Sequence, residues 1–325
     1  MNINLQPLIE TITFHDIDEL GSRMRAFRWD MVHRPIEAGT FEGELFVAQV
    51  GGIQFARPIY NRGIRSQGDS PPGTITVGIP LSTPRVLKWH GYSLSSNSAL
   101  LQKSSRGIDM LRSGNLPLAL VTIDNDSLFS QAEQTDRLGV ASLITDSTLA
   151  IQPEPTVLRR FRSHLRYIFE LFWRQPQTIL QPAMQSPIRE DFISLVLDVL
   201  DSHQNDPPLR PSIRHPYIKR AEEILLDNLD RPLSILDLCQ ELHISERTLR
   251  YGFQECFGLG PATYLKIQRL NGVRRQLKAS AGRGITVSAI ALQWGFWHMG
   301  QFAKDYKKMF GECPSATLRD NSLTK

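Results

Sequence analysis

The chain is poor in cysteine. Its 325 residues hold three, Cys239, Cys256 and Cys313, and no two of them form a CxxC pair. That pattern builds neither a disulfide framework nor a zinc knuckle, and it predicts reduced thiols in a cytoplasmic protein. No run of 18 apolar residues occurs, so no membrane-spanning helix and no membrane partner are expected. The opening MNINLQPLIETITF lacks a basic stretch followed by an apolar run, and no secretory signal is expected from it. GxSxG, the P-loop, HExxH and the Rossmann fingerprint are missing as well. GLGPAT at 258–263 lacks the third glycine and follows a predicted helix, so it is expected to be a connector. His15, His33, His90 and His164 do not fall at metal-ligand spacing and are expected to be surface or core histidines. These gaps predict a chain that is not an enzyme, with no cofactor and no metal.

What is present is ordinary in bulk and uneven in distribution. Hydrophobic residues are 41% and charged residues 22%, as in a typical globular protein, and the length predicts about two domains. From Arg214 to Lys325 there are 17 Lys and Arg against 11 Asp and Glu, a net of +6; from Met1 to Ile213 there are 20 against 22, a net of −2. The positive field therefore sits on the last third, where it would favour phosphate contacts.

That last third carries one pattern twice. The first copy runs Cys239, His243, Ser245, Leu249, Phe253, and the second Ala291, Gly295, His298, Phe302, Tyr306. Each has a small residue where two helices can cross, a turn position four residues on, a helix start, and two apolar residues four apart. This is the recipe of a helix-turn-helix, in which the second helix is pinned by one face and offers the other to DNA. The motifs span about 234–257 and 286–310. Ser234, with Asp237 three residues on, predicts a helix start. Ser245 starts the first candidate recognition helix, which Gly258 ends. Asp230-Arg231-Pro232 breaks the helix before it. A long helix from Pro261 through Leu277 connects the motifs, Gly311 stops the second recognition helix, and Pro314-Ser315 opens a final one.

The candidate DNA-binding residues follow from the exposed faces. They are Ser245, Glu246, Arg247, Arg250, Tyr251 and Gln254 on the first helix, and His298, Met299, Gln301, Lys304, Lys307 and Lys308 on the second. Arg and Gln can read base edges with two hydrogen bonds, whereas lysines grip phosphates. The first helix is thus expected to discriminate bases and the second to anchor. The competing expectation is that Arg247 pairs with Glu246 or Glu255 on its own helix.

The first 150 residues have a different texture. Glu44–Val50 and Ile53–Arg57 flank Gly51-Gly52, a two-residue hairpin signal. Thr74–Ile79, Val86–Trp89 and Leu116–Ile123 are further strand candidates, and together they suggest a sandwich or barrel. Phe27, Trp29, Phe41, Phe46 and Phe55 are expected in its core or around a pocket. Leu158, Phe161, Leu165, Ile168 and Phe172 then recur at helical spacing, as do Ile188, Phe192, Leu195 and Val199. The first seam either packs on the barrel or pairs with a second subunit as a homodimer. Residues 155–203 form this helical segment, 204–215 a proline-rich linker, and 216–320 the basic domain. The fold class expected is α+β: a β-rich, cupin-like barrel or sandwich with two following helices, then an all-α domain.

Residues 217–319 resemble the DNA-binding domain of the AraC/XylS family of transcription regulators. The resemblance rests on Ser245, Leu249 and Phe253, on GLGPATYLKIQRLNGVRRQL, and on AIALQWGFWHMGQFAKDYKKMFGECPS, with Ala291, Gly295-Phe296, Phe302, Tyr306, Lys307, Phe310-Gly311 and Pro314-Ser315 at the family's positions. RLNGVRRQL, WGFWH and, more weakly, HRPIEAGTFEGEL are similar to the subgroup that includes the ethanolamine-utilisation regulator. The resemblance implies two helix-turn-helix subdomains on a linker helix, inserted into successive major grooves of double-stranded DNA. It also implies transcription activation through RNA polymerase, and an N-terminal domain that binds a small-molecule effector or dimerises. An architectural DNA binder without effector, or an enzyme fused to a DNA-binding module, are the alternative classes. The chain departs from the family at His243, where a small residue is common and a strained turn is expected. Tyr251 stands where Arg is frequent, and Met299-Gly300 weakens a helix start.

Overall fold

The computed structural model describes residues 7–137, 139–140, 143, 149–202, 209–229 and 234–319. It falls into two compact units. The Asp230-Arg231-Pro232 break and residues 204–208 of the expected linker lie outside the described residues.

The first unit is built on two sheets. The strands are β1 (Leu8–Phe14), β2 (Asp30–Pro35), β3 (Gly43–Val50), β4 (Ile53–Tyr60), β5 (Ile64–Asp69), β6 (Thr74–Pro80), β7 (Leu87–Trp89), β8 (Tyr92–Ser93), β9 (Ala99–Lys103), β10 (Ile108–Arg112), β11 (Leu118–Asp124) and β12 (Ala150–Ile151). The larger sheet runs β1-β3-β4-β11-β6-β9-β12 and the smaller β2-β5-β10-β7-β8. The expected hairpin forms, with Val50 opposite Ile53 and Gly51 and Gly52 at φ +60 and +79. Both central positions of such a turn need positive φ, which glycine supplies without steric cost.

The larger sheet is covered on both faces, and its side chains sort by parity. Phe46 and Ala48 of β3, Ile53 and Phe55 of β4, Val77 of β6, Leu101 of β9 and Val121 of β11 point into one core. Two helices complete it, α3 (Pro155–Arg174) and α5 (Pro182–Asp201). Phe172 lies 5.8 Å from Phe46 and 5.3 Å from Phe55, ring to ring. Each fully buried ring of this kind contributes about 1.5–3 kcal/mol. The seam Leu158, Phe161, Leu165, Ile168, Phe172 is therefore buried in its own unit, and a partner helix is not what covers it. The alternate residues of the same strands, among them Tyr60, Thr76, Leu100, Gln102, Leu118 and Leu120, face an interior cavity whose other wall is the smaller sheet.

Two helices lie within the first 150 residues, the stretch expected to be β-rich. The first, α1 (Ile17–Ala26), starts at Asp16, whose carboxylate accepts from the Asp18 N–H, and buries Leu20 and Met24. The second, α2 (Asn125–Gln134), is capped in the same way by Asp124. A short helix, α4 (Pro176–Ile179), separates α3 from α5. α5 begins at Pro182 and carries Pro187 in its interior.

The second unit is helical: α6 (His215–Asp227), α7 (Ile235–Glu241), α8 (Glu246–Phe257), α9 (Pro261–Ala279), α10 (Val287–Gln293), α11 (Met299–Phe310) and α12 (Pro314–Arg319). Arg34–Phe41 and Arg62–Ile64 group with it, although they fall within the stretch expected to be β-rich. The reason is local hydrogen bonding: Asn271 Nδ2 donates to the Pro35 carbonyl at 3.2 Å and the Gly39 N–H to the Met309 carbonyl at 2.9 Å.

Candidate nucleic-acid interface

Each motif is assembled by the same backbone hydrogen bonds. In the first, α7 starts with a reciprocal cap: Ser234 Oγ accepts from the Asp237 N–H at 3.1 Å, and the Asp237 carboxylate accepts from the Ser234 N–H at 2.9 Å. That N–H, with the Ser234 side chain, holds the Asp237 carboxyl below the usual range. The helix closes when the Ile244 N–H reaches back to the Cys239 carbonyl, with His243 at φ +52. In the second motif, Thr286 caps α10, and the Phe296 N–H reaches back to the Ala291 carbonyl with Gly295 at φ +78. Both turns are Schellman closures, which require a left-handed residue just past the helix. Glycine meets that requirement freely; His243 meets it with strain, since a side chain disfavours positive φ.

The recognition helices then follow. Ser245 Oγ accepts from the Thr248 N–H at 3.1 Å and starts α8. His298 precedes α11 without a side-chain cap, so that helix starts less well secured, at the Met299-Gly300 pair singled out above. Leu249 and Phe253 are fully buried beneath α8; Phe302 and Tyr306 hold α11. Gly258 and Gly311 end the two helices in the left-handed conformation. α9 runs between them, and its Gly272 meets the Trp294 ring, so that a Cβ at 272 would lie 2.0 Å from a ring carbon.

The face opposite the pins is exposed on both helices. On α8 these residues are Glu246, Arg247, Arg250, Tyr251 and Gln254, with Ser245 at its start; on α11 they are Gly300, Gln301, Lys304, Lys307 and Lys308, with His298 at its start. Met299 turns partly inward against the second motif's core. The expected pairing of Arg247 with Glu246 or Glu255 does not occur. Glu246 accepts instead from Arg250, one turn on, at 2.7 Å, and Glu255 from Arg214 at 2.8 Å. Arg247 lies over the Tyr251 ring, 5.3 Å from its centre. Gln301 stays on the outside and donates to Asp305 at 3.2 Å. Lys304, Lys307 and Lys308 have no carboxylate partner among the described residues. The first helix thus shows paired, stacked donors and the second a row of free cations.

One residue of this surface escaped the pattern reading. Trp297, 74% exposed, stands in the turn ahead of α11, between the core residue Phe296 and His298. Its signal was a second large aromatic in a turn whose apolar anchor was already supplied.

Residues 238–320 match a family described as a helix-turn-helix domain. A probable thc operon regulatory protein of Rhodococcus erythropolis is 33% identical over 141 residues, 43% of this chain and 42% of that one. A XylDLEGF operon transcriptional activator of Pseudomonas putida is 33% identical over 105 residues, 32% of this chain and 33% of that one. The chain thus matches less than half the length of these two curated relatives. The crystal structure of a probable AraC family transcriptional regulator from Rhodopseudomonas palustris is 38% identical, covering 32% of this chain and 95% of that one, with a TM-score of 0.31. The region these proteins share with this chain is the helix-turn-helix DNA-binding domain of the AraC/XylS family of transcription regulators.

Proposed function

We propose that the chain regulates transcription by laying α8 and α11 into successive major grooves on one side of a double helix, under the control of a small molecule bound by the first unit. The observation that carries the reading is the two-sidedness of both helices. Each is pinned by a pair of buried apolar residues, and each turns an unbroken polar face to solvent. Ser245, Glu246, Arg247, Arg250, Tyr251 and Gln254 form the base-reading set, and His298, Met299, Gln301, Lys304, Lys307 and Lys308 the anchoring set. Arg247 and Arg250 can each address a guanine through two hydrogen bonds, and the lysines neutralise phosphates with release of counterions.

The Pseudomonas putida relative is by name an activator, which supports an activating role here and RNA polymerase as a partner. No described helix is long and apolar enough to cross a membrane, in keeping with action on cytoplasmic DNA. Residues 216–320 act in this reading as the DNA-binding domain, residues 1–150 as the regulatory domain and residues 155–203 as its packing segment.

Hydroxyl-radical footprinting of the full chain on a selected target tests the reading. Two protected patches are expected on one face, about one helical turn of roughly 10 base pairs apart. A single protected patch confined to one groove segment overturns it.

A further inference from the structure

Two positions at the start of α11 are not used by the fold. Trp297 stands just ahead of the helix and is 74% exposed. An apolar residue at that place commonly packs back on the first turn of the helix it precedes. Here Phe296 does so instead, with its ring 5.0 Å from that of Phe302 in the core. The other tryptophan of this motif, Trp294, is engaged internally: its indole N–H donates to Gln276 and its ring covers Gly272. The Trp297 indole N–H has no hydrogen-bond partner among the described residues. The second position is Gly300, exposed in the first turn of α11. Its φ is not positive, and a Cβ there would meet nothing within 4 Å. Neither backbone conformation nor packing calls for glycine, and glycine weakens a helix relative to alanine. Such a glycine marks a place where another molecule comes close to the backbone.

The rest of the face identifies that molecule. Lys304, Lys307 and Lys308 follow on the outer side of the same helix with no carboxylate partner among the described residues, a match for the phosphates of duplex DNA. Met299 turns partly toward the core, and the Gln301 amide is engaged with Asp305. Apart from His298, the start of α11 therefore offers a base edge an indole and bare backbone rather than hydrogen-bonding groups. In the major groove thymine alone presents a methyl group. The other bases present amino groups, ring nitrogens and carbonyl oxygens. An apolar seat favours the methyl and disfavours the polar edges, which lose water there without gaining a partner.

We infer that Trp297 and the Gly300 backbone form an apolar seat for a thymine methyl group, so that α11 selects thymine at one position as well as gripping phosphates. The indole supplies the wall of the seat, and the missing side chain at 300 supplies its depth. The inference rests on α11 lying in a major groove and names what it selects there.

The test uses the full chain and a duplex selected for binding from a random library, with every thymine of the two protected patches replaced in turn by deoxyuracil. That replacement removes the methyl group and keeps the base-pairing edge and the O4 acceptor. At one position the parent should bind the thymine duplex about fourfold more tightly than the deoxyuracil duplex, the effect of burying one carbon. Trp297→Ala should abolish that difference; the side chain is exposed, and circular dichroism should show an unchanged fold. Gly300→Ala fills the seat, so it should weaken binding to the thymine duplex more than to the deoxyuracil duplex, although alanine favours the helix. Lys304→Ala should weaken both duplexes alike and keep the parent's preference. A parent indifferent to deoxyuracil at every position, protected patches without thymine, or a preference unchanged in Trp297→Ala overturns the inference. So does Gly300→Ala binding the thymine duplex as tightly as the parent. Any of these results with both patches still protected leaves the two-groove reading standing; a parent that protects only one patch refutes that reading, and this inference with it.

Discussion

Arg250 is the residue whose replacement tests the proposed interface most sharply, because its free-state partner is known. A bidentate arginine contact to a base edge contributes about 1–3 kcal/mol. In the free protein, Arg250 holds Glu246 at 2.7 Å across one turn of α8, with both side chains more than half exposed. An exposed pair at that spacing contributes about 0.3–0.5 kcal/mol. Docking on a base must break it, so Arg250→Ala loses the contact but no longer has a pair to break. The net expected loss is about 0.5–2.5 kcal/mol, a factor of about two to seventy in Kd. Glu246→Gln keeps the shape, frees Arg250 and removes a negative charge from the docking face. It should tighten binding by about twofold, the equivalent of the lost pair. Fluorescence anisotropy on a selected target at fixed salt measures both. Parent-like binding by Arg250→Ala refutes the base contact. A loss in Glu246→Gln as large as that in Arg250→Ala refutes the competition and makes the carboxylate itself a reader, accepting from a cytosine amino group.

Lys304→Ala should weaken binding to all sequences alike and lower the slope of log K against log salt by about 0.9; a sequence-selective loss would contradict its role as an anchor. Gly272→Ala places a Cβ 2.0 Å from the Trp294 ring, so an overpacking cost of about 1–3 kcal/mol should exceed the helix-propensity gain of about 1 kcal/mol. Gly300→Ala meets nothing within 4 Å and should stabilise by up to about 1 kcal/mol; urea unfolding distinguishes the two, and stabilisation by both would mean that α9 and Trp294 do not pack as described. His243→Gly should stabilise by about 1 kcal/mol by relieving the left-handed turn at φ +52. The folded pKa of His33 is depressed by burial to about 3, so the unfolded chain takes up a proton that the folded one refuses as the pH falls below about 6.5. His33 therefore costs about 1.3 kcal/mol of stability at pH 5.5 relative to neutral pH, and folded His33→Gln should lose that part of the acid sensitivity.

The helical unit was legible because its determinants are local. Ser234 with Asp237, Ser245, Gly258, Pro261, Gly295 and Gly311 each act within one turn of where they sit, and α7 to α12 begin within two residues of the expected positions. Spacing also placed Leu249, Phe253, Phe302 and Tyr306 inward, which leaves the recognition faces outward by geometry alone. The ion pair follows helical spacing, which the expectation for Arg247 overlooked: Glu246 and Arg250 stand four residues apart on one face, and Arg247, adjacent to Glu246, lies over the Tyr251 ring.

In the β-rich unit the Gly51-Gly52 hairpin and the strands at β6, β7 and β11 fall where the sequence placed them, whereas β9 and β10 were not marked. Alternation marks a strand with one wet face; β6, β9 and β10 are buried along their whole length, and their Thr76, Gln102 and Arg112 face a cavity rather than water. Thr76, Gln102 and Arg112 therefore look in sequence like the solvent side of ordinary strands. Their position becomes informative only once two sheets close over them. The same closure gives Arg112 its meaning. On a surface, water would satisfy the guanidinium and its missing partner would be unremarkable, whereas in this interior Nε and Nη1 of Arg112 have no acceptor while Arg65, equally buried, has its carboxylate.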